Sequence, residues 1–283
     1  MQDMPPLFWG ISIFVFGLII GSFLNVVIHR VPRGESVVVT SSHCTSCDAA
    51  IKPYDNIPLV SYLILRGRCR NCRAHISPIY PTVEFVTGAL YLVVFLKHVN
   101  DWLSLSLVAD IVFVSLIVPL VFIDLRHKLL PDAITLPGLA VMAALRVVVP
   151  EPILAGSMPI PRGFDDWPGW AAALVCSAVG AVAGGGTLWL VREAYYRLRR
   201  VEGMGLGDVK MMMMVGAYLG WQPTLLTVFI GSMLGSVVGL ALISRGKGTM
   251  KMEIPFGVFL GPAAIIAMFA GRALIEWYVG LYR

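Results

Sequence analysis

The chain has 283 residues, of which 57% are hydrophobic and 14% charged, with a mean hydropathy of +0.79. Soluble domains carry about a quarter charged residues, so the composition excludes a soluble globular enzyme, a disordered chain and a secreted disulfide scaffold. It indicates an all-α membrane protein. The formal charge of +5 comes from Lys and Arg crowded between apolar blocks, a distribution that the bilayer explains without nucleic acid.

A helix needs about 20 apolar residues to cross about 30 Å of hydrocarbon. The first block, 7–28, ends without a small-residue cleavage site and reads as an anchor rather than a removed signal. Seven more blocks follow, near 79–96, 103–123, 129–149, 170–191, 209–221, 224–243 and 255–279. The connections after the first, third, fifth and seventh blocks hold seventeen of the 22 Lys and Arg. These connections are therefore expected on the cytoplasmic side. The loop from Glu151 to Trp170, rich in Pro and Gly and carrying Asp165 and Asp166, is expected outside. The expectation is about eight spans with both termini outside. The sixth block is short and is followed by Trp221-Gln222-Pro223 as a tight turn, so a six-span or re-entrant arrangement stays open. Domain organisation follows as a first helix over 1–28, a cytoplasmic loop over 29–78 and a membrane domain over 79–283. Met211 to Met214 read as packing residues, with a groove for a greasy peptide as the alternative.

Four of the five cysteines form two CxxC pairs, Cys44 with Cys47 and Cys69 with Cys72, inside the longest basic connection. Two such turns can close a tetrahedron of thiolates around Zn²⁺, and four sulfurs leave no position for water. The site is thus expected to be structural, stapling a loop too small to build its own core. Free thiols, labile disulfides or an iron–sulfur centre are the alternatives. His29, His43 and His75 flank the loop and are read as surface or interface residues. Cys176 lies in an apolar block.

Asp124 ends the third block and Asp208 opens the sixth, in Gly203-Met-Gly205-Leu-Gly207-Asp208-Val-Lys210. The charge pattern puts both at cytoplasmic helix ends. Ionisable groups at a membrane boundary are functional candidates. Two carboxylates that share a proton can act as base on a water and acid on a carbonyl, which is the chemistry of amide hydrolysis. The three glycines would let the backbone bend and approach a substrate strand. Asp132 reads as a helix cap, and Asp110 needs a partner. Glu84 is either an interfacial cap or a pocket residue. Lys210 either acts on a neighbouring carboxylate or snorkels to the surface.

Together these segments resemble the bacterial type IV prepilin leader peptidases of pilus and type II secretion systems. Gly21-Ser-Phe-Leu-Asn25-Val-Val-Ile-His-Arg-Val-Pro32 resembles the family's N-terminal signature, and the CxxC pairs its zinc loop. Ile79-Tyr-Pro-Thr-Val-Glu84 resembles the approach to its second helix. Asp124 with Leu130-Pro-Asp132, and Gly205-Leu-Gly207-Asp208-Val-Lys210, resemble its aspartate motifs, and Pro255-Phe-Gly-Val-Phe-Leu-Gly-Pro262 its last-helix signature. The resemblance implies a bifunctional enzyme of the bacterial inner membrane with its active site facing the cytoplasm. It would cut the basic leader of a prepilin or pseudopilin and N-methylate the new terminus with S-adenosylmethionine. Asp124 and Asp208 would be catalytic, and Cys44, Cys47, Cys69 and Cys72 would hold zinc. No Rossmann-type glycine fingerprint is present, so the S-adenosylmethionine residues are unassigned. The other readings are a peptidase without methyltransferase activity, a non-enzymatic assembly scaffold, and a transporter, whose acids would sit at mid-membrane depth.

Overall fold

The computed structural model describes residues 6–38, 42–101, 104–149, 167–201, 203–245 and 254–281. The acidic stretch with Asp165 and Asp166, and the basic residues Lys247 and Lys251, lie outside the described residues.

Each apolar block folds as a helix: α1 (Pro6–Arg30), α3 (Ile79–Lys97), α4 (Leu105–His127), α5 (Asp132–Val148), α6 (Gly169–Arg199), α7 (Leu206–Leu219), α8 (Trp221–Ser244) and α9 (Gly257–Gly280). A short α2 (Val60–Ile64) interrupts the cysteine loop. Among the described residues there is no strand, and pairing is confined to two isolated bridges. Six of these helices are long and apolar enough to cross a membrane, which makes the chain a multi-pass membrane protein. The other two are α5, with 17 residues, and α7, with 14. At 1.5 Å per residue they reach about 25 and 21 Å, short of about 30 Å of hydrocarbon.

The helix ends follow local backbone rules. Pro131 is extended, at φ −68° and ψ 134°, so α5 starts at Asp132 rather than at 129. Gly220, at φ 80° and ψ 174°, alone separates α7 from α8. The turn expected over 221–223 is instead the first turn of α8, where Pro223 lacks only an N–H that the helix would leave unbonded.

Contacts divide the chain into two units, Met1–Phe122 and Ile123–Arg283. In the first unit, α1 crosses α3 at backbone distance. A Cβ on Gly17 would lie 2.8 Å from the Cα of Gly88, and one on Gly21 would lie 2.7 Å from the Cα of Glu84. Gly17 and Gly21 are spaced as a GxxxG pair, the usual device for close helix approach in a bilayer. In the second unit, α6 and α7 meet more closely still. A Cβ on Gly180 would lie 2.0 Å from the Gly216 carbonyl oxygen, and one on Gly184 would lie 2.3 Å from that of Met212. Met211, Met212 and Met214 are fully buried, so the methionine run is core rather than a peptide groove.

This crossing makes a differential prediction. Gly180→Ala should destabilise the protein by about 1–3 kcal/mol through overpacking. Gly186→Ala, at a position with nothing within 4 Å, should be neutral or stabilise by about 0.5–1 kcal/mol through helix propensity. Thermal unfolding of both purified variants in one detergent checks the pair.

Candidate active site and cysteine cluster

Asp124 and Asp208 belong to the same unit, and both carboxylates are buried, the residues being 4% and 8% exposed. They are close enough to interact electrostatically. Each is held at a helix N-terminus, where backbone N–H groups lack partners and the dipole favours negative charge. Asp208 is the third residue of α7, and its side chain accepts from the backbone N–H of Gly205, the residue before that helix. This is one half of a capping box. Asp124, near the end of α4, caps a different helix. Its Oδ2 accepts from the Val258 N–H at 3.1 Å, with the Gly257 N–H also donating, at the start of α9. A Cβ on Gly257 would lie 2.8 Å from that oxygen, so glycine there keeps the cradle open. Asp208 Oδ1 is buried with no hydrogen-bond partner among the described residues. Buried carboxylate oxygens normally find donors, which sets this one, beside a second acid, apart.

The glycines before Asp208 work by size rather than by unusual backbone angles. None of Gly203, Gly205 and Gly207 has a positive φ. Gly207 already lies inside α7. A Cβ on Gly203 would lie 2.6 Å from the Tyr195 ring, and one on Gly207 would lie 2.7 Å from the Leu130 Cβ. Arg192 on α6 donates from Nε to the Met204 carbonyl at 3.2 Å and helps fix this segment.

The other three acids singled out by the sequence, Asp132, Asp110 and Glu84, have partners. Asp132 is the first residue of α5, and its carboxylate receives Lys210 Nζ at 2.7 Å on both oxygens. It therefore does not cap its own helix, and Lys210 pairs with Asp132. Asp110 Oδ2 is bound by Lys97 Nζ at 2.8 Å and by His98 Nε2 at 2.9 Å. Glu84 Oε2 accepts from the Leu59 N–H at 2.8 Å and the carboxylate is also bonded to Ser22. Arg146, buried on α5, is hydrogen-bonded to Cys176 and lies 3.5 Å from the Tyr218 carbonyl oxygen. Sequence reasoning passed over Arg146, Arg192 and the Gly257–Val258 amides. The amides were visible only as part of a motif without a role, since a backbone donor leaves no side-chain signature.

The four loop cysteines converge, with all Sγ atoms within 4.8 Å of one another and those of Cys44 and Cys72 3.9 Å apart. A tetrahedral zinc with Zn–S bonds of about 2.3 Å sets its sulfurs about 3.8 Å apart, so the cluster fits that ion. His29, His43 and His75 are outside it, and His43 Nε2 lies 3.6 Å from Asp48 Oδ1. The two CxxC turns are built alike. The Cys44 N–H donates to Ala49 O and the Asp48 N–H to Cys44 O, and the Cys69 N–H donates to Ala74 O and the Arg73 N–H to Cys69 O. Asp48 and Arg73 both take positive φ, at 58° and 60°. Each turn is closed by a bridge, His43 with Ala50 and Arg68 with His75. The Cys72 and Asn71 backbone N–H groups point at the Cys69 sulfur and lower its thiol to about 7, which favours the thiolate that metals bind. Arg70 clamps Asp55 with contacts of 2.6 to 3.1 Å and holds its carboxyl below the usual range.

Comparison with known proteins places this architecture. Residues 15–98 match the Bacterial Peptidase A24 N-terminal domain, and residues 111–240 match the Type IV leader peptidase family. Among similar proteins, one of Aeromonas salmonicida is 34% identical over 98% of this chain and 96% of its own length. One of Myxococcus xanthus is 38% identical over 88% and 67%, and one of Legionella pneumophila is 31% identical over 98% and 96%. All three are named prepilin leader peptidase/N-methyltransferase. No solved structure matches the chain. With both halves matched in order and relatives aligned over nearly its whole length, the chain belongs to the type IV leader peptidase family and is an enzyme.

Proposed function

We propose that this protein cleaves the basic leader of a type IV prepilin or pseudopilin at the cytoplasmic face of the bacterial inner membrane, with Asp124 and Asp208 as the catalytic pair. It then N-methylates the new terminus. The single observation that carries the reading is the buried, unpartnered Oδ1 of Asp208 within electrostatic reach of Asp124, in a chain of this family. Two neighbouring carboxylates hold one proton between them. The neutral one donates to the scissile carbonyl oxygen while the ionised one takes a proton from a water, whose oxygen bonds to the carbonyl carbon. The tetrahedral adduct then breaks its C–N bond. The amine leaves with a proton from the dyad, and the leader leaves with a new carboxyl group. The pair titrates as a unit, so acid and base are roles of the dyad.

Cys44, Cys47, Cys69 and Cys72 would hold the zinc, whose closed coordination supplies structural rather than Lewis-acid chemistry. S-adenosylmethionine would be the methyl donor. Among the described residues no strand leads into a glycine-rich helix start to take its nucleotide, and no methyl-transfer step is assigned to named residues.

Asp124→Asn and Asp208→Asn should each lower leader cleavage by at least about 10³-fold, read by mass spectrometry of a model prepilin incubated with purified enzyme and S-adenosylmethionine. Cleavage surviving in either variant rejects the dyad, and cleavage without an added methyl reduces the enzyme to a peptidase. Gly257→Ala should cut cleavage by about 10-fold or more and also lower thermal stability, because a Cβ there crowds the Asp124 oxygen and lies 3.2 Å from a Leu130 methyl. The parent should contain about one zinc per chain. Cys44→Ser with Cys69→Ser should abolish the metal, measured by elemental mass spectrometry, and open the 31–78 loop to limited proteolysis.

A further inference from the structure

The cysteine loop carries an apolar surface that its own packing leaves uncovered. Leu63 and Ile64 of α2 are 74% and 71% exposed, and Ile57 and Val60 are 48% and 47% exposed. Immediately after this segment come Arg66, Arg68 and Arg73, all exposed. Among the described residues none of these three arginine side chains makes an ion pair.

The depth of this surface is fixed by a hydrogen bond. Leu59, the residue immediately before α2, donates its N–H to Glu84 Oε2. Glu84 is the sixth residue of α3, about 7.5 Å along a helix that crosses the membrane. On the α1 side it is bonded to Ser22, and its Cα is the atom that a Cβ on Gly21 would strike. The first turn of α2 therefore lies beside the first turns of α3, and the end of a helix of membrane-crossing length falls near the headgroups.

We propose that the segment 57–65 is an interfacial element that sinks Val60, Leu63 and Ile64 into the leaflet while Arg66, Arg68 and Arg73 engage the phosphates of anionic lipids. Apolar side chains followed by unpaired arginines are the composition that binds such a surface. Each basic residue near an anionic leaflet adds to the attraction, and guanidinium groups suit phosphate oxygens. The occupant is the bilayer rather than a protein because the bilayer already surrounds α3 at that height. The loop is also tethered on both sides to membrane helices. The cysteine cluster would thereby be held against the membrane surface and kept from swinging free.

The full-length, metal-loaded protein is placed in nanodiscs of phosphatidylcholine, alone or mixed with phosphatidylglycerol. Benzoylphenylalanine is introduced at Leu63, and photoadducts are identified by mass spectrometry. The expected result is lipid adducts, with phosphatidylglycerol enriched at least about threefold over its share in the disc. That enrichment should be lost in R66Q/R68Q/R73Q. Adducts to a second protein copy, or none, would overturn insertion, and lipid adducts without enrichment would overturn the anionic preference. Hydrogen exchange of the unaltered protein gives a second reading that needs no variant. Amides of 57–68 should exchange several-fold more slowly in the phosphatidylglycerol discs, and equal rates would overturn the headgroup contact.

Discussion

Close approach of backbones is the constraint on which the second unit rests. Inside a bilayer, burying apolar side chains gives helices no advantage over contact with lipid, so association depends on packing and polar contacts. Gly180 and Gly184 on α6 face Gly216 and Met212 on α7 with no room for a methyl group. This brings the short helix that carries Asp208 against a helix of 31 residues, about 46 Å long and well beyond the thickness of the hydrocarbon. Ten of the 14 residues of α7 are buried, so this short helix is enclosed by the helices around it. The depth and rotation of Asp208 are therefore set by its neighbours: by α6, by the ion pair from Lys210 to Asp132, and by the Arg192 contact on the preceding segment.

The same economy governs both carboxylates. A buried acid needs donors, and a helix start has donors without partners. Asp208 uses the start of its own helix and Asp124 the start of α9, so each polar requirement answers the other. Unlike side-chain donors, these backbone amides cannot rotate away or titrate. The arrangement also accounts for the small residue at Gly257, where bulk would separate the acid from its amides.

How much of this is legible in the chain depends on the length scale of the signal. Apolar blocks and basic connections are summed over many residues, and all eight blocks are helices here. The CxxC pairs and the two aspartates stand out because their residue types are rare in such surroundings. Boundaries were less legible: Pro131 and Gly220 act through single dihedral angles, and they move the starts of α5 and α8 by three residues each. The partners of Asp110 and Asp132 depend on helix crossings, which periodicity does not specify. The similarity of the two cysteine turns is present in Cys44-x-x-Cys47-x-Ala49 and Cys69-x-x-Cys72-x-Ala74, yet its meaning lies in matched backbone hydrogen bonds that exist only in the folded loop.

The cap that Asp124 places on α9 bears on biosynthesis. Helices enter the membrane in chain order, and the amides of Gly257 and Val258 belong to the last of the helices described. A nascent chain that has inserted α4 and α7 but not α9 holds Asp124 without those donors. An acid buried without donors is costly and adopts other arrangements. The cradle of Asp124 is completed only when α9 arrives, so a ribosome-bound intermediate that lacks α9 carries the acid in sequence before the amides that hold it.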